Sequence, residues 1–176
     1  NAGSRPWRAM SFRRFFNNLV ATGAVTGRVT VHGDGKPWRP VVHVKDIARS
    51  FLHILEAPIG AVHIEIFNNG ADHLNHRIIE LAEIVCDTVP GAVLDVRGES
   101  SADQRTYKAD FGKFARTFPE FAFRWTARDG AKELLAALTK TGFGGEQLAD
   151  PRFVRLKWLR HLLDSGRLDA DLRWRT

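Results

Sequence analysis

A chain of 176 residues, 44% hydrophobic and 26% charged, has the size and balance of one globular domain with a real core. No apolar run reaches the roughly 20 residues a bilayer-spanning helix needs, and the single cysteine, Cys86, excludes an internal disulfide and a multi-cysteine metal site. The 26 Lys+Arg against 20 Asp+Glu give a formal net charge of +6, concentrated in "RPWRAMSFRR" and "PRFVRLKWLRHL". Such a surface suits a phosphorylated small molecule, nucleic acid or an acidic membrane. Nucleic acid is disfavoured, because neither zinc-finger spacing nor an aromatic RNA-reading motif accompanies the charge. The lack of a secretory pattern and the cysteine usage predict the cytoplasm. The first residue is Asn1 and the one methionine is Met10, so the chain is expected to be a piece of something longer.

In chain order, "RVTVHG" (28–33) alternates as a strand does and ends in a glycine turn. "PVVHV" (40–44) predicts a second strand with Val41, Val42 and Val44 in the core, in the manner of a sheet covered on both faces. Ile47, Phe51 and Leu55 then recur at helical spacing, with Asp46 as the expected N-cap and Pro58 as the stop. "AVHIEIFNNG" (61–70) reads as a third strand closed by an Asn-Asn-Gly turn. Ile78, Leu81, Val85 and Val89 mark one face of a helix that Pro90-Gly91 ends, and "AVLDV" (92–96) reads as a fourth strand. After the polar "RGESSADQR" come a short helix opened by Asp110, the aromatic connection "FPEFAFRW", the helix "ARDGAKELLAAL" and the break "GFGG". A last helix carries Phe153, Leu156, Leu159 and Leu163 on one side. Strands alternating with helices followed by a helical third argue an α/β layer architecture in one unit.

The motifs exclude more than they include. A dinucleotide loop needs three glycines spaced for backbone approach to a pyrophosphate, and neither "GDG" nor "GFGG" supplies the third. Ser100, Ser101 and Ser165 lack a nucleophile-elbow context. Cys86 lies in an apolar helix pattern and reads as inert filling. Asp72, His73 and His76 have metal-like spacing, but "ADHLNH" reads as a loop entering a helix, and no metal is expected. What remains are polar residues at strand ends, where α/β sheets bind ligands: Asn17-Asn18, Arg39, Asn68-Asn69 and Arg97, with Asp103 and Arg105 in the following loop. Two or three converging arginines would suit a diphosphate.

The ordered segments "NNLV", "GDGKPWRPVVHVKDIARSF", "FNNG", "NHRIIELAEIV" and "DQRTYKADFGK" carry a resemblance. With Gly35, Arg39, Val44 and Asp46 in a Gly-x-x-x-Arg…Val-x-Asp pattern, they resemble the C-terminal half of an extended short-chain dehydrogenase/reductase. The type is the NAD-dependent nucleotide-sugar epimerase/dehydratase. Asn68 and Gly70 of a strand end, and Asp103, Arg105, Tyr107, Asp110 and Lys113 of a later segment, extend it. The resemblance implies the last strands of a Rossmann-like sheet plus a small, mainly helical substrate-binding region over residues 17–176, with residues 1–16 matching poorly and the NAD-binding half missing. It further implies that Asn18 and Arg39 touch the substrate diphosphate, that Asp103 lies near the ribose, and that either Arg97 or Arg105 is a second phosphate arginine. Val31 and His32 would lie near the base. The whole enzyme would use NAD or NADP, act on a nucleotide sugar and pair as a homodimer. The family's Tyr-x-x-x-Lys pair is absent, since Phe111 stands four residues after Tyr107, the lone tyrosine, so the chain alone is predicted inactive. Two alternatives stand: a non-catalytic basic binding module, and a related reductase acting on a non-nucleotide carbonyl substrate.

Overall fold

A computed structural model describes residues 15–98 and 105–175. Helix α1 (Phe15–Thr26) leads through Gly27, at φ +69, into β1 (Arg28–His32). A short β2 (Trp38–Pro40) precedes α2 (Val44–Glu56) and a single turn, α3 (Ile59–Val62). β3 (Asn75–Arg77) runs directly into α4 (Ile78–Thr88), and β4 (Val93–Arg97) follows. The remainder is helical: α5 (Gly112–Thr117), α6 (Ala127–Lys140), α7 (Gly145–Ala149) and α8 (Arg155–Asp164).

Two small sheets organise these elements. β1 and β4 pair in parallel, from Arg28 opposite Val93 to His32 opposite Arg97. β2 and β3 form an antiparallel ribbon with Arg39 opposite His76. Parallel strands are normally covered by helices, and here α1, α4 and α6 supply the cover. Phe16, Leu19 and Val20 of α1, Val29 and Val31 of β1, Leu81 and Val85 of α4, and Ala131 and Leu138 of α6 make one buried core, closed by Phe153. A separate aromatic cluster joins Phe67, Phe114, Phe118, Phe121 and Phe123, with neighbouring ring centroids 5.1–6.2 Å apart. The "FPEFAFRW" connection therefore builds a second small core.

Two expected strands are corrected. The apolar run at 40–44 is not a buried strand: pairing stops at Pro40, Val41 packs against the core edge, and Val44 is exposed in the first turn of α2. Its register is set by the polar ribbon before it, because proline lacks the N–H to continue a ladder. Residues 61–70 also form no strand: Ala61 and Val62 close α3, and the chain after them is irregular, with Ile64 at φ 57. An alternating segment becomes a strand only beside a partner, and among the described residues none runs alongside it. The helices expected around Ile78 and Ala127, and the strands at 28–32 and 93–97, stand where the periodicity places them.

Asp46 is corrected as well. The N-cap of α2 is His43, whose Nδ1 accepts from the Lys45 amide at 3.2 Å. The His43 ring stacks on Trp125 at 4.2 Å. Asp46 sits in the first turn, fully buried, and its carboxylate accepts the backbone N–H groups of Arg124 and Trp125 at 2.8 Å each and the Arg49 guanidinium at 2.7 Å. The glycine closing the Asn-Asn-Gly turn is required for space: a Cβ on Gly70 would come within 2.4 Å of the Phe111 ring.

Replacing Asp46 with Ala would take the acceptor from two backbone amides and leave the Arg49 charge without its carboxylate partner. We expect a loss of about 3–5 kcal/mol of unfolding free energy in urea, the range for breaking a buried charge pair. A loss below about 1 kcal/mol would show that the 121–126 connection is held by its aromatic packing instead.

Candidate substrate-binding site

The β2–β3 ribbon is fastened to the start of α4 by its own turn. The first amides of a helix have no partner inside the helix. Here Ile78 donates to the Pro37 carbonyl and Ile79 to that of Gly35, both at 3.0 Å. Gly35 is at φ +68 and a Cβ there would meet Ile79 Cβ at 2.8 Å, so the turn needs glycine for conformation and for approach. The helix N-terminus behind it is filled by protein carbonyls, so this turn does not fit a pyrophosphate.

Directly opposed residues of an antiparallel pair share a face. Arg39 and His76 therefore lie on one side of the ribbon and Trp38 and Arg77 on the other. A third segment, 105–109, runs beside them: Tyr107 N–H donates to the Trp38 carbonyl at 3.0 Å, Thr106 Oγ1 accepts from the Trp38 amide at 2.9 Å, and Asn75 exchanges hydrogen bonds with the backbone of Ala109. The alternation continues across it. The Arg39 guanidinium lies 4.9 Å over the Tyr107 ring and donates to the carbonyls of Trp38 and Arg105. On the opposite face Trp38 carries two cations, Arg77 at 5.4 Å and Lys108 at 4.8 Å. The ribbon thus presents positive charge over aromatic rings on both sides.

His76 shares the Arg39 face, and its Nε2 is buried with no hydrogen-bond partner among the described residues. Burial is the main influence on this imidazole and lowers its pKa below the usual value, with His73 lowering it further and Glu80 opposing.

Arg39 and Arg105 are brought together across 66 residues of sequence, Arg105 contributing its carbonyl. His32 and Arg97 are brought together separately, as register partners at the carboxyl ends of β1 and β4, where Gly33 N–H donates to the Arg97 carbonyl at 2.7 Å. Arg97 also pairs with Asp95 at 3.1 Å. Asn18 is exposed near the start of α1. Asp103 lies outside the described residues. Asn68 and Asn69 are structural ties: Asn68 donates to the Asp110 carbonyl at 3.0 Å and Asn69 to the hydroxyl of buried Ser50. Cys86 is held as a thiol, its pKa raised by partial burial and then by Asp87 and Glu83. Among the described residues no three His, Cys, Asp or Glu side chains gather as a metal site, and no helix is long and apolar enough to cross a membrane.

The sequence reading missed Tyr107 as a platform for Arg39, and His76 as its cross-strand neighbour. The i, i+2 spacing of Arg105 and Tyr107 was a usable signal. The burial of His76 had none.

This architecture, a parallel strand pair under helices with basic residues at strand ends, is a Rossmann-like α/β arrangement. Residues 5–70 match the model of the NAD dependent epimerase/dehydratase family. It is 30% identical over 101 residues to UDP-glucuronic acid decarboxylase 4 and, equally, to UDP-glucuronic acid decarboxylase 2, both from Arabidopsis thaliana. That stretch is 57% of this chain and 22% of each relative, so the chain spans about a fifth of their length. The solved structure "DdhaC" superposes with a TM-score of 0.51 at 24% identity, over 65% of this chain and 33% of that one, a likeness of fold alone.

Because the folded state favours neutral His76, its share of the stability is present above the unfolded pKa and is lost as pH falls through the lower folded value. Melting temperature should therefore fall between pH 7.5 and pH 5, and a His76→Phe chain should lose less over the same interval. Equal losses in the two chains would remove His76 as the cause.

Proposed function

We propose that this chain is the substrate-binding part of an NAD(P)-dependent nucleotide-sugar epimerase/dehydratase, and that its basic ribbon receives the diphosphate of a nucleotide sugar. The observation that carries this reading is the meeting of Arg39 with the 105–107 segment on one face of the ribbon. A guanidinium already oriented by two carbonyls and a ring loses little further freedom on meeting phosphate oxygens. The relatives named as UDP-glucuronic acid decarboxylases make a UDP-sugar the natural first ligand to try.

In this reading Arg39 meets the diphosphate, Arg105 or Arg97 meets its second phosphate, Asn18 reaches it from α1, and His32 borders the base, with Asp103 assigned to the ribose. The cofactor, NAD or NADP, supplies the hydride chemistry from a nucleotide-binding half outside residues 17–176. The residues described here bind and orient the substrate, so that remote contacts position the sugar carbon. The complete enzyme is proposed to be a cytoplasmic homodimer without a resident metal.

Calorimetric titration with UDP-glucuronic acid tests the assignment. Arg39→Ala should weaken binding by about 1.5–3 kcal/mol, the worth of hydrogen bonds to a charged group. Arg128→Ala, which removes an exposed ion pair with Asp87, should leave it unchanged. Equal affinity of the Arg39→Ala and unaltered chains would remove Arg39 from the site.

A further inference from the structure

β2 is the middle of three adjacent segments. Its residues 37 and 41 bond to the β3 side, where Pro37 accepts from Ile78 and Val41 donates to Leu74, both at 3.0 Å. Trp38 turns its backbone the other way, to Thr106 and Tyr107. Arg77 and Lys108 therefore reach in from opposite flanks over the one central ring, 5.4 and 4.8 Å from its centre. Both cations are exposed and Trp38 is half-buried.

Other cations that lie over rings in this fold are also balanced by a carboxylate. Lys45 lies over Trp125 and pairs with Glu133 at 2.9 Å, Arg49 lies over Phe121 and pairs with Asp46 at 2.7 Å, and Lys113 lies over Phe67 and pairs with Glu65. Among the described residues, neither Arg77 nor Lys108 takes part in an ion pair. The acidic groups close by in sequence are already engaged. Glu80 accepts the Arg77 backbone amide at 2.8 Å, and Asp34 pairs with Lys36 at 3.2 Å. Two like charges ordered over one ring, with no carboxylate between them, leave a place for an anion from outside. Because the ring already orders both side chains, a ligand that meets them loses less to side-chain freedom. A carboxylate brings a single charge to share between the two. A phosphate monoester carries close to two charges and three terminal oxygens, enough to satisfy a guanidinium fork and an ammonium together.

We propose that Arg77 and Lys108, held by Trp38, form a second anion site on the face of the ribbon away from Arg39, and that it takes the phosphate group of a small phosphate monoester. Arg77 meets two of the oxygens and Lys108 the third, while Trp38 acts as the positioning residue for both. The site does not depend on the role given to Arg39, since the strand period sends the side chains of residues 38 and 39 to opposite faces.

The test titrates the full chain at pH 7.5 with inorganic phosphate, with glycerol 3-phosphate and, at matched ionic strength, with acetate. Nuclear magnetic resonance follows the Trp38 indole N–H and the Arg77 Nε–H. Phosphate and its ester should both shift these signals to saturation, and acetate should not. Arg77→Gln and Lys108→Gln, both at exposed positions, should each weaken phosphate binding by about tenfold, as expected for hydrogen bonds to a charged group. Arg160→Gln, exposed on α8, should leave it unchanged. Lys108→Gln should also leave the affinity for UDP-glucuronic acid unchanged. Acetate that saturates the same signals over the same range, an ester that fails where phosphate binds, or equal weakening by Arg160→Gln would each overturn the proposal. So would a Lys108→Gln chain that loses UDP-glucuronic acid and phosphate to the same extent, because one surface would then serve both ligands. A chain that binds phosphate at Trp38 but no UDP-glucuronic acid would refute the proposed function and spare this site; the converse result would do the opposite.

Discussion

The Asp46 carboxylate is the contact on which the arrangement of this molecule turns. It is completely buried, and it receives two backbone amides from 124–125 and the guanidinium of Arg49. Removing a carboxylate from water costs several kcal/mol, so it persists only where its oxygens are met by well-placed donors. Its place in the first turn of α2 adds the favourable field of the helix N-terminus. What it fixes is not local. Residues 124–125 lead directly into the Thr126 cap of α6, where Thr126 and Asp129 exchange hydrogen bonds. One side chain thereby couples the helix that follows the ribbon to a helix of the core. Arg49 continues the connection, donating to the Ala122 carbonyl at 3.1 Å and lying 4.9 Å over Phe121.

The ribbon depends on a different economy, one of backbone groups. Gly35 and Pro37 give their carbonyls to α4, Trp38 exchanges hydrogen bonds with residues 106–107, and Asn75 fastens to Ala109. Once the backbone is tied on every side, the strand period of two distributes the side chains automatically: Arg39, His76 and Tyr107 to one face, Trp38, Arg77 and Lys108 to the other. Cations over rings keep their charge directed outward while their stems and partners are ordered. A basic surface with this degree of order differs from the scattered charge at the chain's ends. Ordered cations specify a ligand shape, whereas scattered ones supply only long-range attraction.

The elements legible in the sequence were those whose periodicity and neighbours agree. β1 and β4 read as strands because each has the other, and α4 and α6 read as helices because their apolar faces meet the same core. The misreadings share one cause. Residues 40–44 carry β-branched side chains, but a proline ends the ladder and His43 caps a helix immediately after it. Asp46 has the chemistry of a cap and was placed one turn too early in that role; its real partners lie 78 and 79 residues away, beyond any local pattern. Of the candidate site, Arg39 was legible from its pattern with Gly35, while its orientation by Arg105 and Tyr107 depends on a pairing that no local rule encodes.

The segment 61–67 is a different kind of disagreement. Its alternation is as regular as that of β1, and in most proteins local preference and final structure support each other. Here they conflict at a single residue, and the conflict sits beside the largest uncovered apolar surface of α2. Isoleucines at 64 and 66 stand in nearly full contact with water, where polar side chains would lower the risk of aggregation.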